Sequence, residues 1–115
     1  MGSRRNRRIA KNQALFRTIN EAVTRWPERQ ATPPWQKLIF YCECGDAKCY
    51  DRVYLTGPEY EAIRTDSARF VVVPGHVFPK AERVVEEHDG YSVVEMGEDV
   101  RGILEETDPR RVVTA

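Results

Sequence analysis

Four side chains in this sequence have the types and spacing to do chemistry. Cys42, Cys44 and Cys49 are the only cysteines of the chain and fall within eight positions, in the stretch Phe40-Tyr41-Cys42-Glu43-Cys44-Gly45-Asp46-Ala47-Lys48-Cys49. The fourth is His76, which follows Pro74-Gly75. Three thiolates and one imidazole make a full tetrahedral set for Zn2+, and a complete protein shell leaves no position open for water, so such a site is structural. An odd, clustered cysteine count also argues against disulfides, because pairing strands one thiol. The alternative, three small buried residues, fits poorly with a Cys-x-Cys-x4-Cys cluster. Other groups compete for the fourth position. His88 stands beside a turn, and Asp46 and Asp51 are close in sequence. Were one of them or water to complete the shell, the metal would be open to catalysis. A two-iron iron–sulfur cluster is a minor alternative, since the spacing lacks the ferredoxin-like cysteine runs.

Other chemistry is thin. The sequence has no Gly-rich phosphate loop, no His-Glu-x-x-His and no Gly-x-Ser-x-Gly. Glu59 is better explained as a helix cap than as a partner of Glu61, and Glu86 and Glu87 alternate across a strand. A redox pair would want Cys-x-x-Cys at a helix start. A non-catalytic protein is therefore expected. Tyr41, Tyr50 and Tyr54 interleave with Lys48 and Arg52 in a way that suits nucleic-acid stacking, but packing within a sheet explains them more simply.

These groups must be positioned by a small fold. The chain has 115 residues, 41% hydrophobic and 31% charged, which suits one soluble domain with a modest core that a metal can help to hold. No apolar run is long enough to cross a bilayer, and no signal peptide is recognisable, so a cytoplasmic location is expected, where thiols stay reduced. The net charge is zero, but residues 1–50 carry ten Lys/Arg against four Asp/Glu, and residues 51–115 carry eight against fourteen. Arg4, Arg5, Arg7, Arg8 and Lys11 make the start basic. Such an arm can bind nucleic acid or an acidic partner, or it can be a solvated helix start.

Ile9, Phe16, Ile19, Val23 and Trp26, with Leu15 beside them, predict an amphipathic helix over about 7–26, stopped by Pro27. Residues 27–36 read as a stiff linker anchored by Trp35. Residues 38–44 read as a strand whose alternation puts Cys42 and Cys44 on one face, and Gly45-Asp46 turns the chain back to Cys49. After a short strand at 52–55, Thr56 and Glu59 fit a capping box for a helix over 58–65. Residues 69–73 predict a strand buried on both faces, which Pro74-Gly75 stops beside His76. Asp89-Gly90 between two apolar runs predicts a hairpin with a type I′ turn. A short helix follows Gly97, with Val100, Ile103 and Leu104 inward, and ends at Asp108-Pro109.

Several stretches together carry a resemblance. These are Cys-Glu-Cys-Gly-Asp (42–46) with Cys49, Leu-Thr-x-x-Glu-Tyr-Glu-x-x-Arg (55–64), Phe70, Val-Pro-Gly-His (73–76), Val-Val-Glu (84–86) and Gly-Tyr-x-Val-Val-Glu (90–95). Over roughly residues 12–109 the chain resembles a group of small, uncharacterised bacterial proteins of actinobacterial type. The resemblance implies that Cys42, Cys44, Cys49 and His76 form one unit, and it implies no activity.

The expectation is thus an α+β fold: an N-terminal amphipathic helix, then a small, mostly antiparallel sheet of four or five strands with two short helices. Its parts are a basic helix and linker (1–36), a zinc-binding core (37–109) and a tail (110–115). Its function is that of a zinc-binding interaction or regulatory module with a protein partner, or a nucleic-acid-binding zinc protein using the basic arm.

Overall fold

The computed structural model describes residues 3–111. Ser3 caps the first helix, α1 (Arg4–Thr24), its hydroxyl accepting the Asn6 N–H. A one-turn helix, α2 (Pro27–Gln30), follows, so Pro27 opens a helix inside the expected linker as well as barring the continuation of α1. Strands β1 (Lys37–Tyr41) and β2 (Arg52–Thr56) pair antiparallel. Helix α3 (Gly57–Ile63) starts at the expected capping box: Thr56 Oγ1 accepts the Glu59 N–H, and the Glu59 carboxylate accepts the Thr56 N–H. Strands β3 (Arg69–Val72), β4 (Glu82–His88) and β5 (Tyr91–Met96) form a second antiparallel sheet in the order β3-β5-β4. A 3-10 turn (Glu98–Val100) leads into α4 (Arg101–Glu106). The class is α+β, with the strands divided between two small sheets. No helix among the described residues is long and apolar enough to cross a membrane.

The sheets stack because β3 and β5 are apolar on both faces. Phe70, Val72, Val94 and Met96 face one core with Ile9, Ala10, Leu104, Cys42 and Cys44. Val71, Val93 and Tyr91 face the other, with Phe40, Val53, Leu55, Tyr60 and Ile63. The unbroken apolar run at 69–73 is what burial on two sides requires.

Helix α1 departs from its expected stripe. Ile9 and Phe16 are buried, but Leu15, Ile19 and Trp26 are exposed. The inward face instead carries Ala10, Gln13, Ala14, Arg17, Asn20 and Glu21, which recur at helical spacing. Each of these polar groups meets a distant partner. Arg17 donates to the Ser67 and Leu104 carbonyls and lies over the Phe70 ring. Glu21 meets Arg64, which also pairs with Asp108.

Four smaller expectations are corrected. Trp35, 74% exposed, anchors nothing. Tyr50 and Tyr54 stand on the surface, so packing within a sheet does not account for them. The Asp89-Gly90 hairpin forms, but only Gly90 has positive φ, so its turn is not type I′. Arg110, expected in a loose tail, pairs with Glu21 and Glu61. Residues 112–115 of that tail lie outside the described residues.

Candidate metal centre

The site is built where β1 runs out. β1 ends at Tyr41, one residue short of the first cysteine, so Cys42 and Cys44 are not strand residues. The Cys42 N–H still donates to the Asp51 carbonyl at 2.8 Å, which holds the loop closed. Gly45 then turns the chain at φ +85°, pressed against α1, where an added Cβ would come within 2.8 Å of Ile9. Asn12 donates to the Gly45 carbonyl. The Cys49 N–H donates to the Asp46 carbonyl and returns the third sulfur. On the other side, β3 stops at Val72, Gly75 turns at φ +91°, and the His76 N–H donates to the Val73 carbonyl.

These two turns bring Cys42, Cys44, Cys49 and His76 together. Their candidate ligand atoms all lie within 4.8 Å of one another, and the group can hold a metal ion. His76 Nδ1 is 3.6 Å from the Sγ of both Cys42 and Cys49. Two ligands on one tetrahedral zinc, with Zn–S about 2.3 Å and Zn–N about 2.0–2.1 Å, stand about 3.6 Å apart. All three cysteines are free thiols. Cys42 and Cys44 are buried, while Cys49 and His76 are partly exposed beneath a cleft that Lys48, Tyr50 and Phe78 help to line.

The neighbours shift the three sulfurs in different directions. The hydrogen bond Cys42 gives Cys44, then burial, pushes the Cys42 thiol up. The same hydrogen bond draws Cys44 down to about 5. Burial raises Cys49. Thiols bind a metal as thiolates, so a cation held here releases protons on binding.

The competing groups stand elsewhere. His88 caps the hairpin end, with Nε2 2.7 Å from Glu86 Oε1 and its ring stacked on Tyr91. Asp46 accepts the Lys48 N–H. Asp51 Oδ2 lies 3.6 Å from His76 Nε2, on the side of the ring away from the sulfurs.

The supporting residues were not evident from sequence. Val73 N–H donates to Cys42 Sγ at 3.2 Å. Glu43, between the first two cysteines, is fully buried, and its carboxylate accepts from Asn20, Tyr60 and the Val71 N–H. Burial raises its pKa, against these donors and Arg64, which lower it. The available signal was the polar series Gln13, Arg17, Asn20 and Glu21, whose helical period equals that of a buried face. Comparison of the chain with family models, curated proteins and solved structures returns no match.

Proposed function

We propose that this chain is a small zinc-stabilised interaction or regulatory module, without catalytic activity, in which Cys42, Cys44, Cys49 and His76 hold one structural Zn2+. The observation that carries this is the equal 3.6 Å separation of His76 Nδ1 from Cys42 Sγ and Cys49 Sγ, the spacing of two ligands on a tetrahedral zinc. Soft thiolates with one imidazole favour zinc over hard cations such as Mg2+ or Ca2+. Four protein ligands fill the shell, which supports a fastener between the loop after β1 and the turn after β3. Reduced thiols suit the cytoplasm.

The test is elemental analysis of protein purified without added metal, read with its visible spectrum. One zinc per chain in a colourless protein is expected. A brown protein containing iron and sulfide overturns zinc, and a folded, metal-free protein overturns the site.

A further inference from the structure

Among the described residues, no second layer covers the outer face of the β1–β2 sheet. Its inner residues, Phe40, Val53 and Leu55, are buried, while the alternate residues Ile39, Arg52 and Tyr54 are exposed. Ile39 and Tyr54 are direct cross-strand partners, as are Tyr41 and Arg52. The Arg52 guanidinium lies over the Tyr41 ring, 5.5 Å from its centre. A β-ribbon that presents aromatic rings and cations at alternate positions suits flat, anionic, flexible ligands: bases stack on the rings and phosphates meet the cations.

The cysteine loop that precedes β2 in turn touches α1. Tyr50, 70% exposed, meets Phe16 edge-on, and Asn12 holds Gly45. One helical turn before Asn12 comes Arg8, and Arg5 precedes it. Among the described residues, none of Arg4, Arg5, Arg7, Arg8 and Lys11 makes an ion pair. The first turn of α1 contains no acidic residue, so these cations crowd the positive end of the helix dipole. Cations at that end are unfavourable for the helix and suit a bound polyanion. The nearby acids are few: Asp99 accepts from Asn6, Asp46 accepts the Lys48 N–H, and Asp51 stays exposed with its carboxylate 3.6 Å from His76 Nε2. The exposed carboxylates of Glu86 and Glu87 lie on β4, which belongs to the other sheet.

We propose that the outer face of β1–β2, extended across the cysteine loop by the first turns of α1, binds single-stranded nucleic acid, with Tyr50 and Tyr54 stacking on bases and Arg8 and Arg52 meeting phosphates. This deepens the interaction-module reading and rests on the interaction part of it alone; a metal would hold only the loop that joins the two halves of the strip.

The test is fluorescence anisotropy on the full chain, with labelled oligothymidylate, oligouridylate and a duplex, each about 15 nucleotides long. Salt is varied between about 50 and 200 mM, and the zinc content of every sample is measured. Single strands are expected to bind more tightly than the duplex. Tyr54→Ala is expected to weaken binding about fivefold or more with the salt slope unchanged, and Tyr54→Phe to bind like the unaltered chain. Arg8→Gln is expected to lower the slope by about 0.7. The oligothymidylate and oligouridylate arms tell DNA from RNA. Zinc-loaded protein that ignores single strands at the lowest salt overturns the strip alone. So does equal affinity for duplex, an unaltered Tyr54→Ala, or a self-associated chain that Tyr54→Ala dissolves. Binding by protein free of zinc sinks the metal reading and keeps the strip.

Discussion

Glu43 grips Val71 twice. Its backbone N–H donates to the Val71 carbonyl at 2.8 Å, and its carboxylate accepts the Val71 N–H at 3.1 Å. A strand edge offers a row of unpaired N–H and C=O groups. β3 has β5 on one side only, and here Glu43 of the cysteine loop closes the other side, with Cys42 Sγ on the next free N–H at Val73. The two sheets are thus stitched together between Cys42 and Cys44, and the metal cluster sits at the stitch.

Replacing Glu43 should therefore be costly. Glu43→Ala leaves the Tyr60 hydroxyl and the Val71 N–H buried without an acceptor, while Asn20 keeps the Tyr41 carbonyl. A buried orphan costs about 1–3 kcal/mol, so a loss of about 3 kcal/mol or more is expected in urea unfolding. Glu43→Gln keeps one acceptor oxygen and should cost about 1 kcal/mol. Equal effects of the two substitutions contradict this account.

Strand alternation did not place Cys42 and Cys44, since β1 stops at Tyr41. The capping box and the two-faced burial of β3 were legible because each rests on local rules, cap chemistry and β-branched content. The inward face of α1 was not. Helical periodicity assigns polar residues to solvent, and Arg17, Asn20 and Glu21 reverse that assignment only because Ser67, Glu43 and Arg64 wait for them elsewhere in the chain. The four cluster residues were legible from type and spacing. The stitch at Glu43 was not, because its side chain takes the place of a backbone acceptor in a strand-like pairing.

The ion pair at Arg64 tests that reversed face. Its guanidinium is buried between Glu21 and Asp108. Removing one partner of a buried pair costs about 3–5 kcal/mol because a charge is left behind. Here Glu21 keeps Arg110 and Asp108 keeps Ser67, so Arg64→Met should fall near the lower end, about 3 kcal/mol. Denaturant midpoints at matched protein concentration decide it, and a loss under about 1 kcal/mol means the network does not hold α1.

The metal ligands separate from their surroundings by affinity. Outer-shell partners of a metal typically change affinity about 10–100-fold, so a true ligand must exceed that range. Cys44→Ser and His76→Ala should each lower zinc affinity more than about 100-fold in competition with a chromophoric chelator. Asp51→Asn should change it less than about 10-fold, because 3.6 Å from His76 Nε2 is too long for a hydrogen bond. If His76→Ala keeps full affinity, the fourth ligand is another group and the closed shell is wrong.

A pH dependence should come from Glu82. Gln13 Nε2 donates to Glu82 Oε1 at 3.0 Å, while Gln13 Oε1 and Glu82 Oε2 are buried with no partner among the described residues. A proton on Oε2 would be a donor within the same buried pair as the unpartnered Gln13 Oε1, and burial favours that neutral form, raising the carboxyl to about 8. Native protein then holds a proton that unfolded chain, with a Glu value of about 4.3, releases. Stability from this residue is complete below about pH 4.3 and is lost as pH rises toward 8, with a slope of at most about 1.4 kcal/mol per pH unit. Zinc at Cys44 removes only a minor contribution to the shift, since burial comes first among its causes. Glu82→Gln supplies a permanent donor to Gln13 Oε1 and no titrating proton. Urea unfolding of zinc-loaded protein from about pH 6 to 8 should show the unaltered chain steadily losing stability relative to Glu82→Gln, with the difference still growing toward pH 8. Parallel curves across that range mean Glu82 is ionised in the native state and its proton does not bridge to Gln13.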